Sequence, residues 1–115
     1  MNISRGDVWL VNLSADASAA EIKKTRPCVV VNDDAIGVLP LKIVVPLSRW
    51  QERYSVAPWH IPVEASSQNG LKKKSSADTF QVRSISETRF IEKIGTITHD
   101  DLERMGRGLA ICLCL

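Results

Sequence analysis

The sequence predicts a mainly β fold with one C-terminal helix (α+β), a small, curled antiparallel sheet or barrel with the helix packed on it. Three observations predict it. Short runs rich in Val, Ile, Thr and aromatic residues recur along the chain, punctuated by Gly, Pro, Asn and Asp. A helical spacing of apolar residues is sustained only after Thr98, at Leu102, Met105, Leu109 and Leu113. The length of 115 residues, 44% hydrophobic and 24% charged, suits one domain over 1–115 with a real core and is too short for two.

The elements follow in order. "DVWLVNL" (7–13) has the β-branched and aromatic content of a strand. "SADASAAEIKKT" (14–25) is small, polar and charged without a period, and reads as a long loop. Pro27 to Asn32 is a second strand and "LKIVVPLS" (41–48) a third, joined by "DDAIGVLP" with Gly37 and Pro40 as breakers. Pro46 lacks an N–H donor, which predicts an edge or a strand end at that point. "RWQERYSVAP" (49–58) is a polar loop carrying two aromatics. "WHIPVEA" (59–65) is a short strand with Ile61 and Val63 on one face. "SSQNGLKKKSS" (66–76) is a turn centred on Asn69-Gly70. "ADTFQVRSI" (77–85) alternates as one strand, with Phe80 and Val82 on one side and Thr79, Gln81 and Arg83 on the other. "SETRFIEKIGTI" (86–97) holds a helical turn and a brief strand from Lys93 to Ile97. Thr98 is placed to cap the final helix, and Asp100 and Asp101 suit its positive end. Gly106 and Gly108 weaken that helix by roughly 1 kcal/mol each relative to alanine.

Composition removes several functional classes. No apolar run approaches the ~20 residues of a membrane span. "MNISRGDVWL" has no signal-type apolar segment, which predicts a cytoplasmic location. Three cysteines without a CxxC pair speak against a disulfide framework or a structural zinc site. They read as small buried hydrophobes. A net charge of +2 is too mild to indicate nucleic acid unless it is locally concentrated. Phosphate-binding loops, GxSxG elbows, HExxH and EF-hand patterns are missing from the sequence.

The candidate chemistry lies at strand ends. If strands two and three are antiparallel, Arg26 at the start of one neighbours Ser48 at the end of the other. Pro27 is tolerated as the first residue of a strand and holds Arg26 extended at the sheet rim. The competing structural reading pairs Arg26 with a carboxylate such as Glu21 or Asp78. His60 alternates with Ile61 and faces the other side; His99 lies in the first helical turn. Either has the chemistry of a catalytic base, with an ordinary surface or capping role the more common one.

Five segments in sequence carry a resemblance: "RGDVWLVNL" (5–13), "EIKKTRPCVVV" (21–31), "VVPLS" (44–48), "FQVRSI" (80–85) and "KIGTIT" (93–98). Together they make the chain similar to the MazF/PemK family of toxin endoribonucleases of toxin–antitoxin modules. The resemblance implies an SH3-like barrel with a C-terminal helix, homodimer formation, and metal-independent cleavage of single-stranded RNA with no cofactor. It implies inhibition by a cognate antitoxin. It places the family's catalytic arginine on Arg26 and its catalytic hydroxyl, usually threonine, on Ser48. It extends RNA contact to Glu21, Lys23, Lys24, Thr25, Gln81 and Arg83. Two departures stand out: Ala19 replaces a frequent glycine, and Phe80 replaces an acidic residue before the glutamine.

The resemblance gives the flanking residues tasks. Lys23 and Lys24 suit the tracking of phosphates. Trp50 and Tyr54, and Trp59 as well unless it serves core or dimer packing, suit stacking on unpaired bases. Lys72 to Lys74 read first as a solvated run and second as a partner-binding patch. The reading from another class is a non-catalytic CcdB-like module that binds DNA gyrase. A pure binder needs neither Arg26 nor Ser48 at a sheet rim, which favours the nuclease.

Overall fold

The computed structural model describes residues 2–14, 21, 24–37 and 39–115. Its strands are β1 (Asp7–Asn12), β2 (Thr25–Val30), β3 (Leu41–Arg49), β4 (His60–Val63), β5 (Ser75–Asp78), β6 (Arg83–Ser86) and β7 (Phe90–Thr96), followed by helix α1 (His99–Leu113). All pairings are antiparallel, in the order β4-β5-β3-β2-β1-β7, with β6 also on β3.

The valine-rich strands are explained by burial on both faces. Val29, Val45 and Leu47 point into one core with Val8, Ile61, Val63 and Met105 of the helix. Cys28, Val30 and Val44 alternate into a second core with Trp9, Val11, Ile85 and Phe90. Trp9 meets Phe90 edge-on at 5.8 Å. Its indole N–H donates to the buried Asp7 carboxylate at 3.1 Å, which Lys93 neutralises at 3.2 Å. Burial pushes the Cys28 thiol up to about 12, with the Arg83 guanidinium pulling the other way. That thiol is neutral and inert at ordinary pH.

Pro46 is not on an edge. β3 pairs with β2 along one side, and along the other with β6 (through Leu41 to Val44) and β5 (through Leu47 to Arg49). Pro46 falls in the seam where β3 changes partner, so the missing donor interrupts no ladder on that side. The segment 77–85 is not one strand either. It breaks into β5, a 3-10 turn at Thr79–Gln81 and β6. Asp78 causes the break: its carboxylate accepts from the Phe80 N–H at 3.2 Å and the Gln81 amide at 3.0 Å. Thr79 is consequently buried and donates to the Trp59 carbonyl at 2.7 Å, whereas Phe80 is 71% exposed. Three strands also begin earlier than the sequence spacing predicts, β2 at Thr25, β5 at Ser75 and β7 at Phe90, and another 3-10 turn, Glu52–Val56, forms inside the 49–58 loop.

The helix starts as its cap predicts, with the Thr98 hydroxyl accepting from the Asp101 N–H at 3.0 Å. Arg104 ties it to β4, donating to the Pro62 carbonyl at 2.7 Å while pairing with Asp101. Met105 is fully buried, but Leu113 is 57% exposed, so the apolar stripe outruns the core. The two helical glycines are not equivalent. A Cβ on Gly108 would lie 2.8 Å from Thr79 Oγ1, whereas a Cβ on Gly106 meets open space. Gly106→Ala is expected to stabilise the fold by about 0.5–1 kcal/mol. Gly108→Ala is expected to destabilise it by about 1–3 kcal/mol through overpacking. Urea denaturation of the two variants checks both signs. Among the described residues no helix is long and apolar enough to cross a membrane.

Candidate active site

β2 and β3 pair at Cys28–Pro46, Val29–Val45 and Val30–Val44. Carried two residues further, this register sets Arg26 opposite Ser48. Both side chains are half-buried, and both residues line one open groove of about 420 Å³. Three more cations line it: Arg49 at the end of β3, and Lys72 and Lys73. Its apolar part is Leu10, Pro27, Leu47, Leu71 and Ile94, and Glu92 is its acid.

The other predicted RNA contacts distribute around this pair. Thr25 and Lys24 are exposed just before Arg26, and Lys24 has a left-handed backbone (φ 69°). Lys23 lies outside the described residues, as does Ala19. Glu21, Gln81 and Arg83 come together in a second groove of about 370 Å³ with Phe80 and Val82. Arg83 pairs with Glu21 at 3.6 Å, and the Asp78 carboxylate accepts from the Gln81 amide at 3.0 Å. Arg83 is the cross-strand partner of Val44, four residues along β3 from Ser48, or roughly 13 Å.

The aromatics form a chain of contacts. Trp50 meets Tyr54 edge-on at 5.8 Å, and Tyr54 stacks on His60 at 3.9 Å and 3°. Lys74 sits 5.0 Å over the Trp50 ring, and Arg53 5.4 Å from the Tyr54 ring centre. These rings therefore already carry partners that a base would join or displace. Trp59 contacts His60 and Phe80.

His60 gains a context that its sequence position did not suggest. Its Nδ1 lies 2.7 Å from Ser76 Oγ, and Ser76 is the cross-strand partner of Ser48. His99 instead pairs with Glu103 on the exposed helix surface at 3.2 Å and lines neither groove. Among the described residues no three His, Cys, Asp or Glu side chains gather as a metal-binding group. What the arrangement offers is guanidinium, ammonium and hydroxyl donors around an open slot, a set suited to a phosphodiester.

Residues 4–113 match the family of PemK-like, MazF-like toxins of type II toxin–antitoxin systems. The chain belongs to this family. A curated relative of this MazF-like toxin is endoribonuclease MazF9 of Mycobacterium tuberculosis, 28% identical over 96% of each chain. Similar solved folds include MazF from Deinococcus radiodurans (TM-score 0.81, 19% identity, covering 100% of this chain and 99% of that one). Another is a mycobacterial endoribonuclease in complex with its cognate antitoxin (TM-score 0.77, 16% identity, covering 99% and 97%). The MazF-like architecture of a mostly antiparallel sheet with one C-terminal helix is thus the one the sequence predicts. Of the charged groove residues, Arg49 and Glu92 were not singled out by the sequence reading, whereas Lys72 and Lys73 belong to the run read first as solvated and second as a partner-binding patch.

Proposed function

We propose that this MazF-like toxin is a metal-independent, sequence-selective endoribonuclease of single-stranded RNA, with Arg26 and Ser48 at the scissile phosphate. The observation that supports the site assignment is their juxtaposition across the β2–β3 ladder at the mouth of a cationic groove. Cleavage uses the 2′-OH as an internal nucleophile, so the protein needs to supply no water and no covalent group. Charge accumulates on the phosphoryl oxygens as the bond to the 5′-oxygen breaks. The Arg26 fork stabilises that charge and donates toward the leaving oxygen, and the Ser48 hydroxyl donates to a phosphoryl oxygen. A guanidinium holds its proton too tightly to serve as a general base, so Arg26 acts on charge; the 2′ proton passes to solvent water and the 5′-oxygen regains one from solvent, which balances the step.

Glu21, Lys24, Thr25, Trp50, Tyr54, Gln81 and Arg83 extend contact to flanking nucleotides in this reading. An acidic segment of a cognate antitoxin silences the toxin by occupying the same basic rim. Homodimer formation, a cytoplasmic location and a single domain over 1–115 complete the proposal. The test is incubation with a defined RNA in excess EDTA. Internal cuts leaving 2′,3′-cyclic phosphate and 5′-hydroxyl ends are expected. Intact RNA, or cutting that appears only when one divalent ion is restored, overturns it.

A further inference from the structure

All three lysines of the 72–74 run are exposed, but their surroundings differ. Lys74 turns away to Glu64, at 3.6 Å, and covers Trp50. Lys72 and Lys73 line the groove that holds Arg26, Ser48 and Arg49.

The segment is also anchored. The preceding turn, residues 66–70, docks backbone against backbone on β7. The Thr96 N–H donates to the Gln68 carbonyl at 2.9 Å, and a Cβ on Gly95 would come within 2.3 Å of that same oxygen. Gly70 has φ +72°, and a Cβ there would lie 2.2 Å from the Ile94 carbonyl oxygen. The buried Asn69 side chain donates to the Glu64 carbonyl at 2.8 Å and accepts from the Ser66 and Leu71 N–H groups at 3.0 Å each. The backbone that carries the two lysines is therefore fixed before any ligand arrives.

We infer that Arg49, Lys72 and Lys73 form a phosphate-binding subsite that holds the RNA strand beside the scissile phosphodiester, with the apolar part of the groove taking ribose or base. The inference rests on the nuclease reading of Arg26 and Ser48. Charge complementarity selects the occupant: four cations line the groove against the single carboxylate of Glu92, and its chemistry end is a phosphodiester site. A backbone anchored in this way presents the two lysines without loss of loop freedom on binding.

The experiment measures binding of an RNA made non-cleavable by one 2′-deoxy residue, across a NaCl series, to wild type and Lys72→Gln/Lys73→Gln. Single-stranded binding loses about 0.7 in log–log salt slope per phosphate contact removed. The double variant is expected to show a slope shallower by about 1.4 and affinity weaker by about tenfold near 0.15 M salt. Arg107→Gln, an exposed helix cation outside the groove, is expected to leave the slope unchanged. An unchanged slope in the double variant overturns the subsite, and so does an equal loss in Arg107→Gln, which would mean diffuse attraction. Poly-glutamate is the comparison ligand: variants that lose it but keep RNA would assign the groove to an acidic peptide and overturn the inference. Wild-type cleavage of the all-ribose RNA, run alongside, separates the two failures. If wild type cuts while the slope is unmoved, only the subsite falls; if wild type does not cut, the nuclease reading falls.

Discussion

Arg26→Ala is expected to lower RNA cleavage by about 10²–10³-fold while the chain still folds. The size follows from removing one donor aimed at charge that develops in the transition state. The fold should survive because Arg26 sits at the rim, two residues beyond the last β2–β3 pair, and the second core begins at Cys28. Arg26→Lys should recover only part of the loss, since an ammonium restores charge but not the planar fork. Ser48 supplies an internal comparison. Ser48→Thr keeps the hydroxyl and should stay active, and Ser48→Ala should be slower. Single-turnover rates with urea melts on the same samples check the set. A fully active, folded alanine variant at position 26 would remove Arg26 from the chemistry.

The second large effect is in the substrate. One 2′-deoxy substitution on the 5′ side of the cut should abolish cleavage at that bond, because the nucleophile itself is gone. Binding should change little, since phosphate and stacking contacts supply most of the affinity. A nuclease that activates water would cut the substituted strand at the normal rate and leave different ends. A gyrase-binding toxin would cut neither strand. Cleavage of the deoxy strand at the ribose rate would therefore end the 2′-OH mechanism for this protein.

The parts of this architecture that sequence could give are those set by local rules. The Thr98 cap, the strand at 41–48 and the Asn69-Gly70 turn depend on neighbouring residues, and all three appear in the structure. The neighbourhood of Arg26 and Ser48 needed one further assumption, an antiparallel pairing of adjacent strands. The errors lie where a distant partner decides. Pro46 looked like an edge residue because a sequence does not reveal that β3 has two partners on one side. The run 77–85 alternates well enough for one strand, yet the Asp78 carboxylate bends it, and β5 and β6 leave for different stretches of β3. Lys72 and Lys73 are exposed, as the run reads in sequence, but that they line the same groove as Arg26 depends on the fold and not on their neighbours in the chain.

The docking of the 66–70 turn on β7 also bears on how the protein is made. β7 is held by β1, pairing Thr96 with Asp7 near opposite ends of the described chain. During synthesis from the N-terminus, the β2–β3 pair has emerged long before Gly95 has. A nascent chain at that stage carries Arg26 and Ser48 on a local hairpin, with no β7 against which the lysine turn can lock. The wall that carries Lys72 and Lys73 docks on Ile94 to Thr96, so a chain stalled ahead of Gly95 lacks the surface it locks onto.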